Sequence, residues 1–181
     1  MEKFLVRQAA VLGAGVMGAQ IAAHLANANV RTLLFELPAE GKDKNANVRK
    51  ALDNLAKLEP SPLAVKSALG HVIPANYDDD LGRLKECDLV IEVISERMDW
   101  KKDLFNKVGP HIAAHAIFAS NTSGLSITEL GKTLAPVLRK RFCGIHFFNP
   151  PRYMRLVEII PAAGTDPAIL DELEAFLTTT L

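Results

Sequence analysis

The sequence predicts an α/β fold with a doubly wound, mainly parallel sheet. Short apolar segments of strand length alternate with longer segments in which apolar residues recur at helical spacing, as in repeated strand–helix–strand units. The first apolar segment also runs directly into a glycine-rich turn and an alanine-rich helix. The last pair of strands differs, because only residues 147–155 separate them and a helical crossover needs more chain. We therefore expect one antiparallel strand near the C-terminal end.

The glycine-rich turn has the spacing GxGxxG and reads Gly13-Ala14-Gly15-Val16-Met17-Gly18. Gly13 permits a sharp turn, Gly15 lets a pyrophosphate approach the backbone, and Gly18 allows the helix to pack closely on the strand. The N–H groups and partial positive charge at the start of the helix attract the same phosphates. A strand before the motif and a helix after it provide the context in which it predicts a dinucleotide site. The expected cofactor contacts are Gly13, Gly15, Val16, Met17 and Gly18.

Glu36 ends the second predicted strand, over 32–35, and lies 18 residues after Gly18. An acidic residue roughly 20 residues beyond this motif holds a ribose 2′-hydroxyl; the alternative is an exposed carboxylate at a strand end. There is no basic residue between Glu36 and Lys42, which favours NAD over NADP, because a 2′-phosphate is bound by a nearby arginine. The sequence therefore predicts an NAD-binding domain of the Rossmann type.

The segment after Glu36 predicts a helical excursion that is longer than a minimal crossover. Apolar residues over 48–58 recur at helical spacing, Pro60 ends that helix, and a second short helix is expected over 63–69. A brief strand follows at 72–73. The excursion is either an ordinary elaboration of the crossover or an arm that reaches over a substrate.

The rest of the chain continues the alternation. Strands are expected at 88–93, 116–119, 141–146 and 156–160, and an amphipathic helix at 98–108. A capping-box pattern at Ser126 and Glu129 begins a short helix. Asp166 followed by Pro167 is typical of the start of a helix and predicts the last one.

Polar residues follow two of these strands. Glu96 comes just after the strand at 88–93, and the small polar run 120–124 follows the strand at 116–119. In open α/β sheets, ligands bind outside the carboxyl ends of the strands, so both are candidate site residues. Trp100 is interpreted as a packing residue.

His146 and Glu158 stand on the two strands of the predicted antiparallel pair. In an antiparallel pair, facing residues have numbers with a constant sum. If that sum is 304 here, His146 and Glu158 are cross-strand neighbours. A carboxylate on one imidazole nitrogen fixes the tautomer and leaves the other nitrogen as a general base, which oxidation of an alcohol requires. From these residues alone, a structural histidine is the alternative. The remaining histidines are interpreted as surface or packing residues: His24, His71, His111 and His115.

Four motifs together resemble the L-3-hydroxyacyl-CoA dehydrogenase family. They are Gly13-Ala14-Gly15-Val16-Met17-Gly18, Phe118-Ala119-Ser120-Asn121-Thr122-Ser123, Gly144-Ile145-His146-Phe147-Phe148-Asn149-Pro150 and Arg155-Leu156-Val157-Glu158-Ile159-Ile160. Nearly the whole chain is similar to the N-terminal NAD-binding domain of that family, and we assign residues 1–181 to this domain. The resemblance implies NAD-dependent oxidation of a (3S)-3-hydroxyacyl-CoA to the 3-oxoacyl-CoA in fatty-acid β-oxidation.

The resemblance also implies roles for single residues. His146 would be the catalytic base, Glu158 its orienting partner, and Ser123 the hydroxyl that contacts the substrate oxygen. The family's cofactor-contacting positions correspond to Glu36, Glu96, Lys101, Ser123 and Asn149. From the bare sequence, Ser123 and Asn149 are more simply turn-forming polar residues, whereas the resemblance favours binding.

Two departures from the family pattern concern the substrate side. On the helical arm, Ala51 and Leu58 stand where the family places a serine and a lysine that touch coenzyme A. The family's helical C-terminal domain, which supplies a catalytic asparagine and the dimer interface, is expected to be absent from this chain. We therefore expect the isolated chain to be inactive. The implied partners are a 3-hydroxyacyl-CoA, the missing domain and, in a homodimer, a second copy.

Composition argues against several other classes of protein. A formal net charge of +0 provides no basic field for nucleic acid, and the apolar runs are too short for a membrane span. Two cysteines without a CxxC or a metal-like cluster indicate a reducing cytoplasm, and no leader is expected before the first strand. Two alternatives stay open: a non-enzymatic dinucleotide-binding protein, similar to crystallin-like relatives, and a dehydrogenase of a different 3-hydroxy acid.

Overall fold

The computed structural model describes residues 4–181, so residues 1–3 of the assigned domain lie outside it. The strands are β1 (Gln8–Leu12), β2 (Arg31–Glu36), β3 (Val72–Asn76), β4 (Leu89–Glu92), β5 (Ile117–Ser120), β6 (Phe142–Phe147) and β7 (Val157–Pro161). They form a 7-stranded sheet in the order β3-β2-β1-β4-β5-β6-β7. The first six strands run parallel, and β7 pairs with β6 in the antiparallel direction. The predicted fold class is therefore confirmed.

Helices cover both faces of this sheet. They are α1 (Val16–Asn27), α2 (Ala46–Leu55), α3 (Met98–Val108), α4 (Ile127–Gly131), α5 (Pro136–Arg139) and α6 (Pro167–Thr179). One core layer packs α1, α2 and α6 on the sheet, and the other packs α3, α4 and α5. Because successive strand residues point to opposite faces, Val11 enters the first layer and Leu12 the second.

Three local predictions differ from the structure. The brief third strand extends over Val72–Asn76 and includes a proline, which the sheet tolerates because β3 is an edge strand. The second helix of the excursion is a 3₁₀ segment at Lys66–His71, the form that such short helical pieces often take. The helix α5 was not expected, because its 4 residues are too few to show a helical period.

The strand order positions the site. The chain builds the sheet outward from β1 through β2 to β3, then crosses back and continues from β4 to β6. Ligands bind at such a reversal, outside the carboxyl ends of the strands. The edge of the sheet that these carboxyl ends form carries the glycine turn after β1, Glu36 on β2, Glu96 after β4, and His146 on β6. Within the described residues, none of the helices has the length and hydropathy of a membrane span.

Candidate active site

The three glycines of the turn occupy the positions that the motif predicts. Gly13 has a φ of +113°, and a Cβ there would lie 2.8 Å from the carbonyl oxygen of Val93 on the neighbouring chain segment. A Cβ on Gly18 would lie 1.8 Å from the carbonyl oxygen of Gly13. No atom comes within 4 Å of a Cβ built on Gly15. Two of the glycines are therefore required by packing, and the third leaves open space at the turn, where a pyrophosphate would fit.

Glu36 lies beside this turn. Its Oε2 accepts a hydrogen bond from the backbone N–H of Ala14 at 2.9 Å, and its Oε1 accepts one from Leu37 at 2.8 Å. The carboxylate retains lone pairs for the hydroxyls of a ribose. Gly15, the N-cap residue of α1, provides no side-chain cap, so N–H groups at the start of the helix are available to a phosphate.

A cleft of about 470 Å³ opens at the switch point. Its lining begins at Gly13, Gly15 and Glu36 and continues to side chains of α3. Trp100 is among them and is 50% exposed. The interpretation of Trp100 as a packing residue holds only in part, because the half-buried indole packs against Arg97 but also borders the cleft.

Lys101 is buried behind the wall of this cleft. Its side chain is 1% exposed, and its ammonium donates to Glu92 Oε1 at 2.6 Å and to the carbonyl oxygen of Ile94 at 3.1 Å. It lies 3.6 Å from Glu96 Oε2. Lys101 thus supports the segment between β4 and α3, whose residue Ile94 lines the cleft. Its ammonium also forms an ion pair with Glu96 at the rim of the site.

Sequence reasoning missed Glu92. This carboxylate is fully buried at the end of β4, where it also accepts hydrogen bonds from Ser120 Oγ at 2.5 Å and from the backbone N–H of Ile94 at 2.6 Å. An acidic residue that ends an otherwise apolar strand is the signal that could have found it, because a buried charge requires partners. Glu92 joins β4, β5 and α3 below the site.

Glu96 organises the loop after β5. It accepts hydrogen bonds from the hydroxyl of Thr122 and from the backbone N–H groups of Ser123 at 3.0 Å and Gly124 at 2.9 Å. Partial burial, the largest single influence, raises the pKa of Glu96, but these hydrogen bonds and the ammonium of Lys101 together lower it below its ordinary value. The ionised carboxylate thus holds Ser123 at the exposed rim of the site.

His146 and Glu158 face each other across β6 and β7 in the register that the sequence predicts. The Nδ1 of His146 lies 2.8 Å from Glu158 Oε2. The imidazole is mostly buried and packs against the ring of Phe148, with centroids 4.6 Å apart. With Nδ1 occupied by the carboxylate, Nε2 remains to exchange a proton with a ligand.

The side-chain amides of Asn121 and Gln20 connect the end of β6, which carries His146, to the loop after β5 and to α1. Asn121 Oδ1 accepts a hydrogen bond from the backbone N–H of Phe147 at 2.9 Å, which ties the loop after β5 to the end of β6. Gln20 on α1 donates to Asn149 Oδ1 at 3.2 Å. Asn149 and Ser123 are thus held at the same edge as His146. Sequence reasoning assigned no role to Gln20 and included Asn121 only as a member of the polar run 120–124.

The fold and this edge define the class of the molecule. A cleft that leads from a glycine turn to a carboxylate at the end of β2, at a strand-order reversal, is typical of the dinucleotide-binding domain of oxidoreductases. Residues 8–180 match the family described as 3-hydroxyacyl-CoA dehydrogenase, NAD binding domain. The chain belongs to this family, and its cofactor is NAD.

Individual relatives agree with the family assignment. The chain is 40% identical to a probable 3-hydroxyacyl-CoA dehydrogenase of Bacillus subtilis, over 94% of this chain and 24% of that protein. It is 38% identical to a probable 3-hydroxyacyl-CoA dehydrogenase of Deinococcus radiodurans, over 97% of this chain and 51% of that protein. The crystal structure of 3-hydroxybutyryl-CoA dehydrogenase from Escherichia coli superposes with a TM-score of 0.81 at 30% identity, covering 96% of this chain and 36% of that one. The chain thus spans about a quarter to a half of the length of these curated relatives.

Proposed function

We propose that this chain is the cofactor-binding domain of an enzyme that oxidises (3S)-3-hydroxyacyl-CoA to 3-oxoacyl-CoA with NAD, as in fatty-acid β-oxidation. The observation that carries the proposal is the pair of His146 and Glu158, joined at 2.8 Å on the same sheet edge as the NAD site. Dinucleotide binding alone does not need a histidine held in one orientation, whereas oxidation of an alcohol needs a base.

In this proposal, bound NAD supplies the hydride acceptor. His146 Nε2 takes the proton of the substrate hydroxyl, and Glu158 keeps Nδ1 protonated and stabilises the imidazolium that forms. Ser123 donates a hydrogen bond to the substrate oxygen. The proposed cofactor contacts are the glycine turn, Glu36, Glu96 and Asn149, with Lys101 acting from behind the cleft wall.

The substrate side of the enzyme is also part of the proposal. The relatives extend well beyond the matched region, which supports a further domain. In our proposal that domain completes the substrate cleft and provides a homodimer interface. Cys87 and Cys143 are buried free thiols, which fits a reducing compartment, and we propose the cytoplasm.

The test is NADH oxidation by the complete enzyme that contains this chain, with acetoacetyl-CoA as substrate. His146→Gln should lower kcat by about 10²–10⁴-fold, the contribution of a positioned general base, and leave NADH affinity nearly unchanged. Glu158→Gln should also slow turnover, because the amide can reverse the tautomer of the imidazole. His115→Gln is the matched control, since His115 also faces a carboxylate, Asp88 at 3.5 Å, but lies at the opposite edge of the sheet.

Three outcomes would count against the proposal. NADH binding without any turnover would favour a non-enzymatic dinucleotide-binding protein. Equal turnover of a free 3-oxo acid, with no competition by coenzyme A, would favour a dehydrogenase of a different 3-hydroxy acid. Full activity of His146→Gln would remove the base from the mechanism.

A further inference from the structure

Trp100 is the one tryptophan in the chain, and we infer that its indole ring forms a wall of the adenine subsite of NAD. The side chain is 50% exposed and borders the cleft at the switch point. The inference rests on NAD binding by this domain and is independent of the proposed dehydrogenation.

The position of the adenine follows from the order of groups in the cofactor. The open space at Gly15 suits the pyrophosphate, and Glu36 suits the hydroxyls of the adenosine ribose. The base is attached to that ribose, whereas the nicotinamide must point the other way, toward His146 on β6. The cleft surface left for the base is largely apolar and aromatic: Leu37, Tyr77, Trp100 and Leu104.

Trp100 reaches the cleft because of its place on α3. Leu104 and Lys107 follow it at helical spacing and line the same cleft. The guanidinium carbon of Arg97 lies 4.6 Å from the indole centroid, and Asp99 holds that guanidinium through hydrogen bonds of 3.1 and 2.6 Å. Arg97 stands outside the described cleft lining. The guanidinium thus packs against the indole, while part of the Trp100 side chain still borders the cleft.

Tyr77 provides a second, independent observation. It is 4% exposed and lines the cleft, and its hydroxyl has no hydrogen-bond partner among residues 4–181. Burial, together with the nearby charges of Glu36 and Glu92, raises the pKa of this hydroxyl, so it remains a neutral donor. An unpaired buried donor is costly, and a purine nitrogen or ribose oxygen is an acceptor of the right kind. The cleft thus offers aromatic surface, and the unpaired hydroxyl of Tyr77 is buried beside it.

The experiment follows the emission of Trp100 while the protein is titrated with ADP-ribose, which carries the adenine but no nicotinamide. ADP-ribose should change the emission saturably, and nicotinamide mononucleotide should not. Trp100→Ala should raise the Kd of both ADP-ribose and NADH by about tenfold, the usual effect of losing an aromatic partner of a base. Trp100→Phe should retain most of the affinity, and Val137→Ala, which removes an exposed apolar side chain from α5, should retain all of it.

Thermal unfolding of each variant separates this role from a structural one. If Trp100 only packs against Arg97, Trp100→Ala lowers Tm and leaves the Kd of ADP-ribose unchanged, which would overturn the inference. An unchanged emission at saturating ADP-ribose, or no binding of ADP-ribose by the unaltered protein, would overturn it as well. None of these measurements needs turnover, so failure of the proposed reaction would not affect them.

Discussion

At the scale of single residues, we propose that cofactor choice depends on Glu36. Its two oxygens are already held by the backbone N–H groups of Ala14 and Leu37, so the carboxylate cannot swing away from the ribose position without losing both bonds. A charged acceptor fixed there attracts a 2′-hydroxyl and repels a 2′-phosphate.

We therefore predict that NADH binds more tightly than NADPH. A hydrogen bond to a charged group contributes about 1.5–3 kcal/mol, which corresponds to roughly ten- to a hundredfold in Kd. Fluorescence titration with both cofactors measures the ratio, which Glu36→Gln should reduce. Glu40→Gln, at an exposed carboxylate on the loop after β2, should leave it unchanged. Equal affinity of the unaltered protein for NADH and NADPH would show that Glu36 does not select the cofactor.

At the scale of elements, the site depends on how closely α1 packs against the turn that precedes it. Gly18 lies in the first turn of α1, directly over the carbonyl oxygen of Gly13. A glycine here permits the close approach of helix and turn. Gly15 belongs to the same turn but faces open space with a φ of −67°, a conformation that any residue adopts.

The two glycines should therefore respond differently to alanine. Gly18→Ala should lower the free energy of unfolding by about 3 kcal/mol or more, because the added methyl group cannot be accommodated and overpacking commonly costs about 1–3 kcal/mol. Gly15→Ala should leave stability nearly unchanged but weaken NADH binding, because its methyl group occupies the phosphate position. Urea unfolding and NADH titration measure both effects. A stable Gly18→Ala protein with normal NADH affinity would contradict this account.

At the scale of the whole molecule, the glycine turn and the pair of His146 and Glu158 lie at the carboxyl ends of strands of one sheet. For the substrate cleft, in contrast, we propose that another domain or a second copy contributes part of the wall. Tyr153, Met154 and Leu156 are exposed apolar residues next to the end of β6, and the relatives extend beyond the matched region. An exposed apolar patch beside a site suits contact with another domain or copy.

We predict that the 181-residue chain binds NADH but turns over acetoacetyl-CoA poorly. Correct positioning of reactants is worth effective molarities of about 10⁵–10⁸ M, and an incomplete cleft forfeits much of that advantage. NADH fluorescence measures binding, and NADH consumption with acetoacetyl-CoA measures turnover. Addition of a second domain from a short relative should restore activity. Turnover by the chain alone that equals that of a complete relative would place the entire active site in this domain.

Much of the fold could be predicted because its signals are local. The glycine turn, the alternation of strands and helices, and the short connection from β6 to β7 each depend on a few consecutive residues. The register of His146 with Glu158 was one plausible arrangement of the connection over residues 147–155, and the structure confirms it. The Asp166 cap of α6 was visible for the same reason, since its side chain accepts a hydrogen bond from Ala168 only 2 positions ahead.

The sequence by itself determined the sheet and the NAD-binding turn, and it suggested the pairing of His146 with Glu158, whose role in catalysis stays a prediction. Only the tertiary structure decided that Glu92 is buried against Lys101 and Ser120, that Glu96 holds the loop of Ser123, and that Trp100 faces the cleft. Hydrophobic periodicity and capping act over one or two helical turns, so the sequence displays them directly. The partner of a buried charge, or the surroundings of an exposed indole, depends on which distant segments pack together, and that is settled only when the whole core is assembled.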